Sequence, residues 1–162
     1  MRNNTSLALE YDYSIAKLFV FSVLAFGFVG LLLGVIAAFQ LAIPELNHLA
    51  SEYGTFGRIR PLHTSGIIFG FTLSGIWASW YYLGQRVLKI SYLEHPFLRA
   101  VGLLHFWLYI VLMVLAVITL FGGLTQSKEY SELIWPLDIL VVVVWVLWGI
   151  SLFGSMGVRR EK

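Results

Sequence analysis

The chain has 162 residues, 59% of them apolar and only 12% charged, with a mean hydropathy of +0.81; this balance excludes an ordinary water-soluble domain. The formal charge of +2 is too small to argue for nucleic acid as a partner. With no cysteine, the chain forms no disulfide, no thiolate metal site and no covalent c-type haem attachment.

Four long apolar runs follow one another, at 15–41, 61–83, 97–121 and 135–158. Each reaches the roughly 20 residues a helix needs to cross a bilayer. Runs such as VLMVLAVITLF and DILVVVVWVLWGI do not alternate apolar and polar positions, so helices and not barrel strands are expected. The first run is too long and too aromatic for a signal peptide and is expected to stay as a transmembrane helix. No repeat or linker divides the chain, which reads as one all-α membrane bundle of four transmembrane helices. The closing GVRREK reads as the flank of a helix, as in a chain cut from something longer.

With four spans, the termini and the second loop share one side and carry Arg2, Lys17, Arg86, Lys89, Arg99, Arg159, Arg160 and Lys162. The opposite side has only Arg58, Arg60 and Lys128, so both termini are expected in the cytoplasm. In a bacterial inner membrane the loops at 42–60 and 122–134 would then face the periplasm.

An ionisable side chain inside a bilayer is costly, and the histidines are weighed on that ground. His48 and His95 lie in loops and read as solvated or interfacial. His63 sits about one turn inside the second span, and Gly66, Gly70, Ser74 and Ala78 follow it at helical spacing. Such a stripe either admits a flat group against the backbone, with the imidazole as an iron ligand, or packs another helix closely. Arg60, one turn outward of His63, and Arg58 nearby favour a haem, whose propionates need cationic partners at the membrane edge. His105 lies at a height roughly 14 Å from His63 in a core of about 30 Å, so the two cannot share one iron. His105 is therefore expected to be a hydrogen-bonded packing residue, and a second haem ligand to lie outside this chain.

In TQSKEYSELIWPLDIL, Glu129 and Glu132 are three residues apart on the side of the arginines, just before a proline suited to a helix start. They suit a hard cation such as calcium, or salt links to Arg58, Arg60 or Lys128. Asp138 either caps the first turn of the fourth helix or serves a polar pathway, the structural role being the simpler.

The segments YDYSIAKLFVFS, EYGTFGRIRPLHT, SWYYLGQR, TQSKEYSELIWPLDIL and FGSMGVRREK resemble, in order and spacing, the N-terminal third of the catalytic subunit (subunit I) of cbb3-type cytochrome c oxidase, a haem-copper oxidase. The resemblance covers essentially the whole chain. It implies that this is part of a bundle of about twelve helices, that His63 is an axial ligand of the low-spin haem b, and that Arg60 contacts a propionate. It also implies a calcium ion bound through Glu129, with Glu132 in the same cluster. The high-spin haem and copper ligands would belong to later helices, leaving no catalytic residue here. Implied partners are the remainder of the subunit, membrane-anchored c-type cytochrome subunits and the bilayer. Ser65 departs from the family pattern, where asparagine is expected. Electrons would pass through the low-spin haem to a centre that reduces oxygen to water, coupled to proton translocation. The alternatives are a segment of nitric oxide reductase or a haem-free anchor or assembly subunit.

Overall fold

A computed structural model describes residues 9–48, 51–126, 128 and 131–160. The chain is all-helical over these residues. Helix α1 (Ser14–Ala42) is followed by two short 3-10 turns, Pro44–His48 and Glu52–Gly54. Helix α2 (Phe56–Ser65) leads into a π-helical segment (Gly66–Thr72) and then α3 (Leu73–Leu88); α4 (Pro96–Gly122) and α5 (Trp135–Gly157) complete the chain.

The ends of the helices follow from local chemistry. Pro44 stops α1, because it disfavours helical geometry at Ile43 and offers no amide of its own. Lys89 ends α3 in the left-handed region at φ 52°, where the amide of Ile90 returns to the Gln85 carbonyl at 3.0 Å. Pro96 and Pro136 occupy the first turns of α4 and α5, where a missing amide costs nothing. Gly123 closes α4 at φ +78°, with the Leu124 amide reaching the Thr119 carbonyl at 2.8 Å.

Three helices, α1, α4 and α5, are each long and apolar enough to cross a membrane, which makes this a multi-pass membrane protein. The expected runs at 15–41, 97–121 and 135–158 match them to within a residue. The expected span at 61–83 differs: it is helical throughout but divided by the π segment, and none of its stretches alone reaches the length of a crossing. The joins at Gly66 and Leu73 keep right-handed helical dihedrals, so the backbone continues from Phe56 to Leu88 as a helix of changing pitch.

α1 packs along α2, the π segment and α3, while α4 packs mainly on α5. Phe19 of α1 centres the core, with ring centroids 5.0 Å from Phe106, 5.3 Å from His105 and 5.5 Å from Tyr81. Trp77, Tyr81, Tyr92 and Tyr109 are buried around it. The opposite faces, with Phe21, Phe28 and Leu31 on α1 and Val142, Val146 and Phe153 on α5, are exposed apolar surface suited to lipid or further helices.

One end of the bundle is clamped by the fully buried Gln85. Its Oε1 accepts from the amides of Asp12 and Tyr92, both at 3.2 Å. Its Nε2 donates to the carbonyls of Asp12 at 2.6 Å and Tyr81 at 2.9 Å. One amide thus ties together the chain before α1, the end of α3 and the α3–α4 loop. Asp12 adds an ion pair, accepting from Arg99 Nε at 2.7 Å, and its Oδ1 takes the Ser14 amide at 2.9 Å. Burial pushes the Asp12 carboxyl up, but its contacts with Ser14 and the Arg99 charge outweigh this and hold it below its ordinary value of 3.8.

Gln85→Leu takes the side-chain partner from the amides of Asp12 and Tyr92 and the carbonyl of Asp12, and about 3 kcal/mol of stability should be lost in reversible unfolding in mixed micelles. A variant as stable as the parent would show that water replaces the amide. A group with a depressed folded pKa stabilises above its unfolded value and stops doing so as pH falls through the folded one. The stability gap between the parent and Asp12→Asn should therefore be full above pH 3.8 and close progressively below it. A gap that does not change with pH would rule out the ion pair as its source.

Candidate functional site

α2 begins at Phe56 after the extended Thr55, whose carbonyl accepts the Arg58 and Ile59 amides. Its N-terminus is held by Asn47, whose Oδ1 accepts the Phe56 amide at 2.8 Å, and the neighbouring turn is held by Gln40, whose Nε2 reaches the Gly54 carbonyl at 2.5 Å. These bonds set the start of α2 and with it the position of His63 two turns on.

His63 lies against α1, with Nδ1 2.8 Å from the carbonyl oxygen of Gly30. A carbonyl only accepts, so Nδ1 is the donor, and Nε2 is the nitrogen open to another partner. The ring rests on Gly34, where a Cβ would come 2.6 Å from His63 Cε1 and 2.8 Å from Nδ1. This contact is the last of a row: Gly27 receives Phe71, Gly30 receives Ile67, and Gly34 receives His63. Three glycines on α1 thus make a groove for three side chains on the second helix.

Of the small residues after His63, Gly70 and Ser74 are met by protein, while Gly66 lines an apolar cavity with Gly30 and Met113. A Cβ built on Gly66 would lie 3.9 Å from the Gly30 Cα, one on Gly70 would meet Phe26 and Met113, and Ser74 is bonded to Tyr109. Gly70 and Ser74 thus pack against neighbouring helices, while Gly66 borders a cavity. The groove on α1, which sequence reasoning missed, carried a signal in the spacing of Gly27, Gly30 and Gly34.

Arg60 is exposed one turn before His63 and on the same side of α2, with its carbonyl accepting the Thr64 hydroxyl at 3.1 Å. Arg58 takes another direction: its guanidinium covers the backbone of Gly123 and joins the start of α2 to the end of α4. A side chain at Gly123 would displace it, so glycine serves both the positive φ and the close approach.

Glu132 and Asp138 line, with Ser131, one end of a largely apolar cavity of about 220 Å3 that also touches Trp77 and Tyr109. Asp138 does not cap α5, which has no side-chain cap; its Oδ2 accepts from Gln126 Nε2 at 3.0 Å. Gln126 also reaches the carbonyls of Glu132 and Leu133, so Asp138 pins the α4–α5 loop. Glu129, the expected calcium ligand, lies outside the described residues. Among the described residues no three of His, Asp and Glu gather as a metal cage.

The other histidines fall into place by their surroundings. His95 is half-buried at the start of α4, and the side chain of His48 lies outside the described residues. His105 is fully buried and bonded through Nδ1 to the Tyr81 hydroxyl at 3.0 Å, the packing role expected of it. Among the described residues, His63 combines a hydrogen-bonded Nδ1 with a neighbouring arginine at a helix start. That donor set suits an axial haem ligand, because the bond at Nδ1 fixes the tautomer that leaves Nε2 for iron.

Residues 14–162 match the family model described as cytochrome C and quinol oxidase polypeptide I. The chain is 40% identical over 159 residues to the cbb3-type cytochrome c oxidase subunit CcoN1 of Stutzerimonas stutzeri, covering 98% of this chain and 32% of the relative. It is also 40% identical to cytochrome c oxidase subunit 1 of Rhodobacter capsulatus, covering 94% of this chain and 28% of that one. A cytochrome c oxidase subunit 1 homolog of Agrobacterium tumefaciens is 36% identical, with 94% and 27% covered. The chain spans about a third or less of the length of these curated relatives, and it matches the N-terminal portion of the cbb3-type subunit. A transmembrane helical bundle with this sequence match belongs to the cytochrome c and quinol oxidase polypeptide I family.

Proposed function

We propose that this chain is the N-terminal segment of the catalytic subunit of a cbb3-type cytochrome c oxidase, in which His63 is one axial ligand of the low-spin haem b. The observation that carries the reading is the 2.8 Å bond from His63 Nδ1 to the Gly30 carbonyl, beside a glycine that admits the ring. That bond orients the imidazole, leaves Nε2 as the nitrogen that faces away from α1's carbonyl and strengthens it as a ligand, as outer partners of metal-bound histidines do. When bound, the haem supplies a one-electron relay toward the oxygen-reducing haem and copper, neither of which this chain ligates. Arg60 would meet a propionate at the membrane edge, where guanidinium and carboxylate pair through parallel donors. Glu129 would bind a calcium ion close to those carboxylates, with Glu132 nearby.

In this reading α2, the π segment and α3 together make the second of four crossings in this part of a bundle of about twelve helices. The excess of cations at the termini and in the second loop supports cytoplasmic termini in a bacterium, with the start of α2 toward the periplasmic face. The exposed faces of α1 and α5 would pack on the remainder of the subunit, membrane-anchored c-type cytochrome subunits or lipid. The relatives are named as oxidase subunits, which favours oxygen reduction coupled to proton translocation over nitric oxide reduction. The packing of Gly70 against Phe26 and Met113 and of Ser74 on Tyr109 is the observation that speaks for a haem-free anchor instead.

Optical spectra of the intact complex separate these readings. His63→Ala should abolish the low-spin b signal, and Gly34→Ala should weaken it severely with His63 still present, because the added methyl displaces the ring. Gly57→Ala, in open space on the same helix, should leave it unchanged. A low-spin signal that survives His63→Ala would favour the anchor. For the calcium site, Glu129→Gln should make assembly markedly less responsive to calcium and chelator, and equal chelator sensitivity in both proteins would remove Glu129 from it.

A further inference from the structure

The second helix changes pitch three residues after His63, and the atoms that hold the change come from α4. Tyr109, buried at 1% exposure, donates its hydroxyl to the carbonyls of Phe69 at 2.9 Å and Gly70 at 3.0 Å. Its oxygen also lies 2.8 Å from Ser74 Oγ. A phenol has one proton, here shared by two carbonyls, so Ser74 donates to Tyr109. All three partners belong to the π segment or the first turn after it.

The pitch change decides which helix each half of the span meets. In an unbroken α-helix His63 and Ser74 would lie within roughly 20° of each other, at 3.6 residues per turn. In the structure they part: His63 rests on Gly30 and Gly34 of α1, and Ser74 bonds to Tyr109 of α4. A π segment accommodates a surplus residue, which turns everything beyond it by roughly 100°. The Leu73 amide accordingly reaches back to the Ile68 carbonyl, five positions away. Such a segment departs from regular helical bonding inside an apolar bundle, where carbonyls need partners. The Tyr109 hydroxyl provides one to two of them.

We propose that Tyr109 is a positioning residue for the haem-binding histidine: by holding the π segment it keeps His63 in the register where the Gly30 carbonyl orients its ring. This rests on the haem reading of His63. The Tyr109 hydroxyl bonds Phe69, Gly70 and Ser74 and not His63, so its effect on the histidine runs through the helix.

The test uses the complete oxidase complex carrying Tyr109→Phe, which removes the hydroxyl and keeps the ring. Haem content should stay at the parent level, while the low-spin α band and its midpoint potential both shift beyond replicate spread; an unshifted band and potential overturn the proposal. Tyr81→Phe is the control, because Tyr81 is equally buried but bonds His105 and not the π segment. It should leave both readouts unchanged, and a shift equal to that of Tyr109→Phe overturns the proposal as mere core loosening. If Tyr109→Phe fails to assemble, deletion of the exposed Ile68 in the same chain removes the surplus residue and should restore haem content and band. Failure of that rescue counts against the proposal. A low-spin band that survives His63→Ala identifies a different failure, that of the haem reading itself.

Discussion

The imidazole of His63 lies against the bare backbone of α1, and the geometry at this end of the bundle depends on that contact. Gly34 leaves the space and Gly30 offers the carbonyl, so the ring is held in position and tautomer by an element some thirty positions away in sequence. Gly27 and Gly30 extend the same close approach to Phe71 and Ile67. In a membrane no hydrophobic force separates helix from lipid, so contact of this quality is what holds helices together. A side chain at any of the three would have to displace its partner, and at Gly34 that partner is the His63 ring.

A second constraint is that polar groups inside an apolar bundle must find each other. Gln85 uses every donor and acceptor of its amide to join three segments, Tyr81 pairs with His105, and Tyr92 lies within 3.3 Å of the hydroxyls of Ser151 and Ser155. Tyr109 does the same for the π segment. These groups sit among the aromatic rings around Phe19, so the core is rigid where the second helix is irregular.

His63 was legible in the sequence because an ionisable residue inside an apolar run is conspicuous, and Arg60 one turn before it pointed to an anionic partner. The role of Gly30 was not, since a backbone carbonyl has no signature in residue type. The stripe from Gly66 to Ala78 was projected at 100° per residue, and that projection holds only while the helix is regular; the surplus residue in Gly66–Thr72 sends Ser74 to α4 and leaves His63 on α1. Asp138, legible as a structural carboxylate near the start of α5, holds Gln126 across the loop and does not cap its own helix.

Hydropathy is a property of each segment taken alone, which is why residue order by itself determined the helical membrane class and placed three long helices to within a residue. Which face meets which is a property of pairs of segments and of small departures from ideal pitch. The seating of His63 on α1, the clamp at Gln85 and the hold of Tyr109 on the π segment were therefore decided only by tertiary structure, where atoms far apart in the chain come within hydrogen-bonding distance.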